Sequence, residues 1–196
     1  MSNSFRTTNS TGLINKDKKI NFTFNGTIYH GYEGDTLASA LIANGVHLVG
    51  RSFKYHRPRG FLGVGVEEPN AMVQLHDGNK SEPNIIATEV ELVEGLKAKS
   101  QNCWPSVQFD IGEINNVLNR FFPAGFYYKT FMWPKSFWMK IYEPFIRKAA
   151  GMGKAPLLPD PDRYEHNYEH CDVLVVGSGP SLSLIHISEP TRLRHI

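Results

Sequence analysis

The sequence predicts a mixed α+β protein: paired strands around one short helix, then an aromatic helical segment, then the opening of an α/β domain. Three observations carry this. Ile20, Phe22 and Phe24 alternate with polar residues ahead of Asn25-Gly26, which reads as a half-buried strand entering a hairpin turn. Between Phe121 and Phe145 lie eleven aromatic residues, several at the spacing of an amphipathic helix face. Cys171–Val176 is a continuous apolar run that leads directly into Gly177-Ser178-Gly179-Pro180, the order in which a buried parallel strand enters a tight glycine turn.

Composition narrows the class. Apolar residues make up 41% and aromatics 12%, ample for a packed core. Twenty-one basic against nineteen acidic residues leave a net charge of +2, not the one-sided basic surface of a nucleic-acid binder. Cys103 and Cys171 are the two cysteines, and so distant a pair gives no disulfide framework. The leader has no apolar run of the signal-peptide kind and no stretch has the length of a membrane span, so a cytoplasmic location is expected.

In chain order, residues 1–18 read as a flexible leader. Strands are expected at Lys19–Phe24 and Thr27–Tyr32 about the Asn25-Gly26 turn. Asp35 reads as the N-cap of a helix carrying Leu37, Ala40 and Leu41 on one face and stopping at Gly45. A basic loop follows with Arg51, Lys54, His56, Arg57 and Arg59. Further strands are expected at Ala71–Leu75, Ile85–Thr88 and Leu96–Ser100, with turns at Asp77-Gly78 and Glu94-Gly95. These elements close a domain over 19–100. Residues 101–152 form the aromatic helical segment. There Asp110 caps a helix with Ile114, Val117, Leu118 and Phe121 on its face. A second helix after Pro134 carries Trp138, Ile141, Tyr142, Phe145, Ile146 and Ala149, kinks at Pro144 and ends at Gly151. Aromatics so spaced are expected as core between the small domain and the next one; the competing reading is a partner-facing surface. Residues 153–170, with Pro156, Pro159 and Pro161, read as an extended linker.

No catalytic constellation emerges. His30, His47, His56 and His76 lie in separate elements, and His166 and His170, four apart, sit in the linker as solvated residues. Glu67 and Glu68 are adjacent and so point apart. The basic loop is suited either to holding a phosphate or to tying itself to neighbouring chain, the structural role being favoured.

The strings GDTLASAL, RSFKYHRPRG, EEPNAMVQL and PAGFYYKTFMWP resemble the amino-terminal region of heterotetrameric sarcosine oxidase alpha subunits, over roughly residues 12–181. The resemblance implies a β-grasp, ferredoxin-like first domain. Relatives carry a Cys-x4-Cys-x2-Cys cluster loop; the matching positions here are Leu62, Glu67 and Asn70, with the fourth near Ala87. A [2Fe–2S] centre needs four thiolates, or His in place of two, so a scaffold with no iron–sulfur cluster is expected. Residues 171–181 then begin a Rossmann domain, with Gly177, Ser178, Gly179 and Pro180 as the start of an NAD site. The fingerprint's third glycine is replaced by Leu182.

By the same resemblance, the complete oxidoreductase converts sarcosine to glycine, with hydrogen peroxide and 5,10-methylenetetrahydrofolate as further products. FAD, FMN and tetrahydrofolate serve the complex, and the beta, gamma and delta subunits are the partners, with neither nucleic acid nor membrane involved. Substrate and FAD belong to the beta subunit, so this chain alone is not expected to be active. The alternatives are a subunit of an N-methylglutamate or opine/imino-acid dehydrogenase, and a non-catalytic β-grasp module that binds partners. Residues 182–196 are expected to be an artefactual tail, because LSLIHISEPTR resembles a translated sequencing adapter.

Overall fold

The computed structural model describes residues 5–6, 14–125, 131–149, 151–153 and 155–174. The chain divides into two compact units, Met1–Pro161 and Asp162–Ile196.

Strands β1 (Asn15–Phe24) and β2 (Thr27–Glu33) pair antiparallel around Asn25-Gly26, both residues at positive φ (50° and 81°) as the tight turn requires. Helix α1 (Leu37–Ala43) follows. Strands β3 (Gly50–Arg51) and β4 (Pro58–Arg59) form a separate two-stranded ladder at the base of the basic loop. Then come β5 (Met72–Leu75), β6 (Glu82–Ile86) and β7 (Lys97–Ser100). The main sheet is mixed, in the order β2-β1-β7-β5-β6, with β7 parallel to β1 and antiparallel to β5. Alternation along β1 sends Ile20, Phe22 and Phe24 inward against Leu37, Ala40 and Leu41, and Val49, Val73 and Leu92 complete the same core. β7 begins one residue later than expected, whereas β6 is displaced by a few: it ends at Ile86, and Ala87 and Thr88 turn away toward α1, where Ala38 N donates to Ala87 O.

Asp35 is not the helix cap. Thr36 takes that place in a capping box with Ser39, each side chain accepting the other's backbone N–H. Asp35 is buried instead, and its carboxylate accepts Arg6 Nη1 and Nη2 (3.0 and 2.6 Å), Tyr32 N (2.9 Å) and Ser39 Oγ (2.8 Å). Within the leader, Phe5 and Arg6 are thus held on the domain, Phe5 N also donating to Ala43 O, and Asn15–Lys18 are part of β1. Thr36→Ala removes the cap without touching the ion pair. It is expected to cost about 1 kcal/mol, a drop of roughly 4–8 °C in Tm. Thermal unfolding followed by circular dichroism checks this, and an unchanged Tm would mean that Asp35 caps after all.

The helical segment differs from its expectation. Asp110 does cap, its side chain accepting from Gly112 N, but the turn it starts is 3-10 (Ile111–Glu113). It continues as the four-residue α2 (Ile114–Val117). The second helix is composite: a 3-10 turn (Lys135–Phe137), a π-helical stretch (Trp138–Tyr142) and α3 (Glu143–Ala149). Pro144 explains the π stretch: it has no N–H for the bond to Lys140, and the wider turn accommodates its ring. The aromatics are not core within the described residues. Phe121, Trp133 and Phe145 are exposed, because no described element covers that face.

Of the second unit, 162–174 are described, and they are exposed and form neither helix nor strand. The expected strand is therefore absent over Cys171–Leu174. A central parallel strand needs a hydrogen-bonding neighbour on each side, and no described strand pairs with these residues. Val175, Val176, Gly177, Ser178, Gly179, Pro180 and the tail 182–196 lie outside the described residues.

Candidate functional site

Two neighbouring loops are the candidate site: the basic loop between β3 and β4, and the loop from Phe61 to Asn70 that precedes β5. In the basic loop Ser52 N donates to Arg57 O and His56 N to Ser52 O, which puts His56 in the left-handed region (φ 52°). Arg51, Lys54 and Arg57 turn onto the segment 107–123, while Arg59 stays exposed on β4. Arg51 is buried, and its planar guanidinium donates from Nε to Val107 O (2.8 Å) and from Nη2 to Gln108 O (3.1 Å). Its Nη1 serves His56 O (3.0 Å) and Glu113 Oε2 (3.1 Å). Lys54 Nζ donates to Pro123 O (3.2 Å), Tyr55 Oη to Phe122 O (2.9 Å) and Arg57 Nε to Asn116 Oδ1 (2.7 Å). The basic loop is a clasp: it fastens the helical segment to the small domain.

His56 Nδ1 lies 2.6 Å from Asp110 Oδ2, while Asp110 Oδ1 accepts Trp104 N and Gly112 N (both 3.1 Å). Gly112 is required there, since a Cβ would stand 2.2 Å from His56 Nδ1. An open cleft of 520 Å³ runs past His56, Asp110 and Cys103. Burial and the nearby Asp110 carboxylate push the Cys103 thiol up, which disfavours the thiolate. A smaller cavity of 180 Å³ lies between the two loops, lined by Arg51, Arg59, Asn70 and Asn102. Asn102 Nδ2 donates to Arg51 O and Ser52 O, and its buried Oδ1 has no hydrogen-bond partner among the described residues.

The second loop is organised by a residue the sequence does not single out. Glu68 is buried with its carboxylate at the centre of the loop. Oε2 accepts Leu62 N and Gly63 N (both 2.6 Å), and Oε1 accepts Asn70 N (2.7 Å) and Ala71 N (3.2 Å). Burial pushes this carboxyl up, but the four backbone donors outweigh burial and hold it below the usual carboxylate range. Glu67 is exposed, but its Oε1 accepts Val64 N (3.3 Å), so the two adjacent carboxylates do not simply point apart as expected: both turn onto the backbone of the same loop. The available signal was Gly63 and Gly65 just ahead of Glu68, a backbone free enough to wrap an anion.

A family profile of 2Fe–2S iron–sulfur cluster binding domains matches residues 17–103. The sarcosine oxidase subunit alpha of Rhizobium meliloti (strain 1021) is 59% identical over 170 residues, which are 87% of this chain and 17% of that protein. Over these residues the chain is homologous to sarcosine oxidase alpha subunits. The sarcosine oxidase subunit alpha of Corynebacterium sp. (strain U-96) is 30% identical over 171 residues, 86% of this chain and 13% of that relative. The chain thus spans about one sixth or less of the length of these alpha subunits. Among solved structures, L-proline dehydrogenase from P. horikoshii aligns at 26% identity with a TM-score of 0.33, over 43% of this chain and 16% of that one. So low a score carries no argument.

The profile match corrects the cofactor expectation, which had NAD in this chain, flavins and folate elsewhere, and no iron–sulfur cluster. Residues 17–103 have the pattern of an iron–sulfur domain family. The expectation failed because it was drawn from the missing thiols, whereas the family pattern also resides in the strands, the helix and the core. The residues present do not themselves fit a cluster. Leu62, Glu67, Asn70 and Ala87 offer no thiol, and among the described residues no group of three or more His, Cys, Asp or Glu could hold a metal. Also among the described residues, no helix is long and apolar enough to cross a membrane.

Proposed function

We propose that this chain is the amino-terminal part of the alpha subunit of a sarcosine oxidase, an oxidoreductase that takes the N-methyl group from sarcosine and leaves glycine and hydrogen peroxide. The 59% identity over 170 residues carries this reading. Within it, the small domain is a β-grasp whose work is architectural. Its cluster-type loop is organised by Glu68, and its basic loop clasps the helical segment. The geometry supports that division of labour, since Arg51, Lys54, Arg57 and His56 are all engaged with neighbouring chain. The partners in this reading are the beta, gamma and delta subunits, in the cytoplasm.

The test is to recover the complete reading frame and co-express it with the neighbouring subunit genes. Sarcosine-dependent oxygen uptake is expected from the purified assembly and not from this chain alone. An assembly that leaves sarcosine untouched, or a frame unlike an alpha subunit beyond Ser181, would overturn the proposal.

A further inference from the structure

Arg51, Ser52, Arg59 and Asn70 bring cations and hydrogen-bond donors to the 180 Å³ cavity between the two loops, and Phe53 and Met72 bring apolar surface. Among the described residues, no aspartate or glutamate lines it. The two cations differ. Arg51 is buried and paired with Glu113 (3.1 Å). Arg59 is exposed, and among the described residues its side chain has no hydrogen-bond or ion-pair partner. The Asn70 carboxamide likewise has none, and Ser52 Oγ accepts Arg57 N (3.0 Å), which leaves its O–H to donate. Two nearby acceptors are closed off. Glu68 gives its carboxylate to four backbone N–H groups, and the buried Asn102 Oδ1 lies against Gly151, where a Cβ would stand 2.2 Å from it.

We propose that this cavity binds a small organic monocarboxylate, its carboxylate on the Arg59 guanidinium with Asn70 and Ser52, its carbon chain along Phe53 and Met72. Charge sets the class. Arg51 is spent on Glu113 and on backbone carbonyls, so Arg59 leaves one positive charge to be matched. A carboxylate matches it, and a phosphate dianion oversteps it. The planar fork of a guanidinium also meets a carboxylate through two parallel hydrogen bonds. Size sets the chain length. The cavity is smaller than the roughly 300–1,000 Å³ of sites for drug-sized ligands, which suits an acid of a few carbon atoms and not a whole nucleotide. The apolar wall disfavours an inorganic anion, since Phe53 and Met72 gain only from covering carbon. The site is built wholly from this chain and holds whether or not the chain is part of a sarcosine oxidase.

The experiment titrates the full chain with sodium propionate at constant ionic strength and follows its amide resonances by two-dimensional NMR. Shifts that saturate in the millimolar range are expected at Gly50, Asn70 and Met72, and none along β2. Arg59→Gln should weaken binding by at least about tenfold. It should leave the Tm of the free chain unchanged, because the side chain has no partner to lose. Asn70→Ala should weaken binding several-fold, and it decides the matter should Arg59→Gln lower the Tm. Lys19→Gln, which removes an exposed cation on β1, should change nothing. A flat titration, or shifts that survive both Arg59→Gln and Asn70→Ala, would overturn the site. Inorganic phosphate that displaces propionate and binds about tenfold more tightly would overturn the carboxylate assignment in favour of a phosphate site.

Discussion

Glu68→Gln is expected to destabilise the small domain by about 3 kcal/mol, a fall of roughly 15 °C in Tm. Glutamine has the same shape, but its Nε2 turns a donor toward two of the four backbone N–H groups that the carboxylate accepts. Either Leu62 and Gly63 or Asn70 and Ala71 lose their acceptor, and the loss of charge weakens the bonds that remain. The pH dependence follows from the sign of the shift. The folded carboxyl lies below its unfolded value of about 4.3. Its contribution is therefore fully present above that pH and is lost as pH falls through the folded pKa. Chemical denaturation of both proteins should show a constant gap between about pH 6 and 8 that narrows below about pH 4. A gap that persists undiminished at the acid end, or no gap at neutral pH, would refute the role given to Glu68.

Arg51→Lys comes next in size, at about 2–3 kcal/mol, although it conserves charge. A single ammonium cannot reach Val107 O, Gln108 O, His56 O and Glu113 together as the planar fork does. The damage should be local. A cost of about 2 kcal/mol borne by the segment 107–113 corresponds to roughly thirtyfold faster hydrogen exchange at Ile111 and Glu113. The amides of β1, β5 and β7 should keep their protection. Uniform loss across both regions would show that Arg51 supports the whole domain rather than the clasp.

What could be read from the sequence was local. The Asn25-Gly26 turn, the alternation of Ile20, Phe22 and Phe24, and the face of Leu37, Ala40 and Leu41 are near-neighbour patterns, and they place the sheet and helix within a few residues. Asp35 and Thr36 are both good caps, and what separates them is Arg6, whose ion pair to Asp35 spans 29 residues. Glu68 looked like one of an ordinary acidic pair because its partners are backbone N–H groups, which any residue type supplies, and Gly63 and Gly65 signal only a backbone free to wrap an anion. The aromatic stripe after Pro134 shows its periodicity plainly, but periodicity identifies an apolar face and not what covers it. Cys171–Leu174 failed as a strand for a related reason: its apolar run describes a sheet interior, and no described strand pairs with it.

The parallel pairing of β1 with β7 sets the order of events at synthesis. Phe24 lies beside Ala98, 98 − 24 = 74 residues downstream. At about 5–20 residues per second, several seconds separate the emergence of the two partners. During that time the first hairpin and α1 have left the ribosome, but the inner edge of β1 has nothing to pair with and Phe22 and Phe24 lack half of their cover. The domain cannot close progressively from its amino terminus. It closes when Lys97–Ser100 arrive, and until then a nascent chain of this protein offers an open apolar strand edge, the kind of surface that chaperones engage.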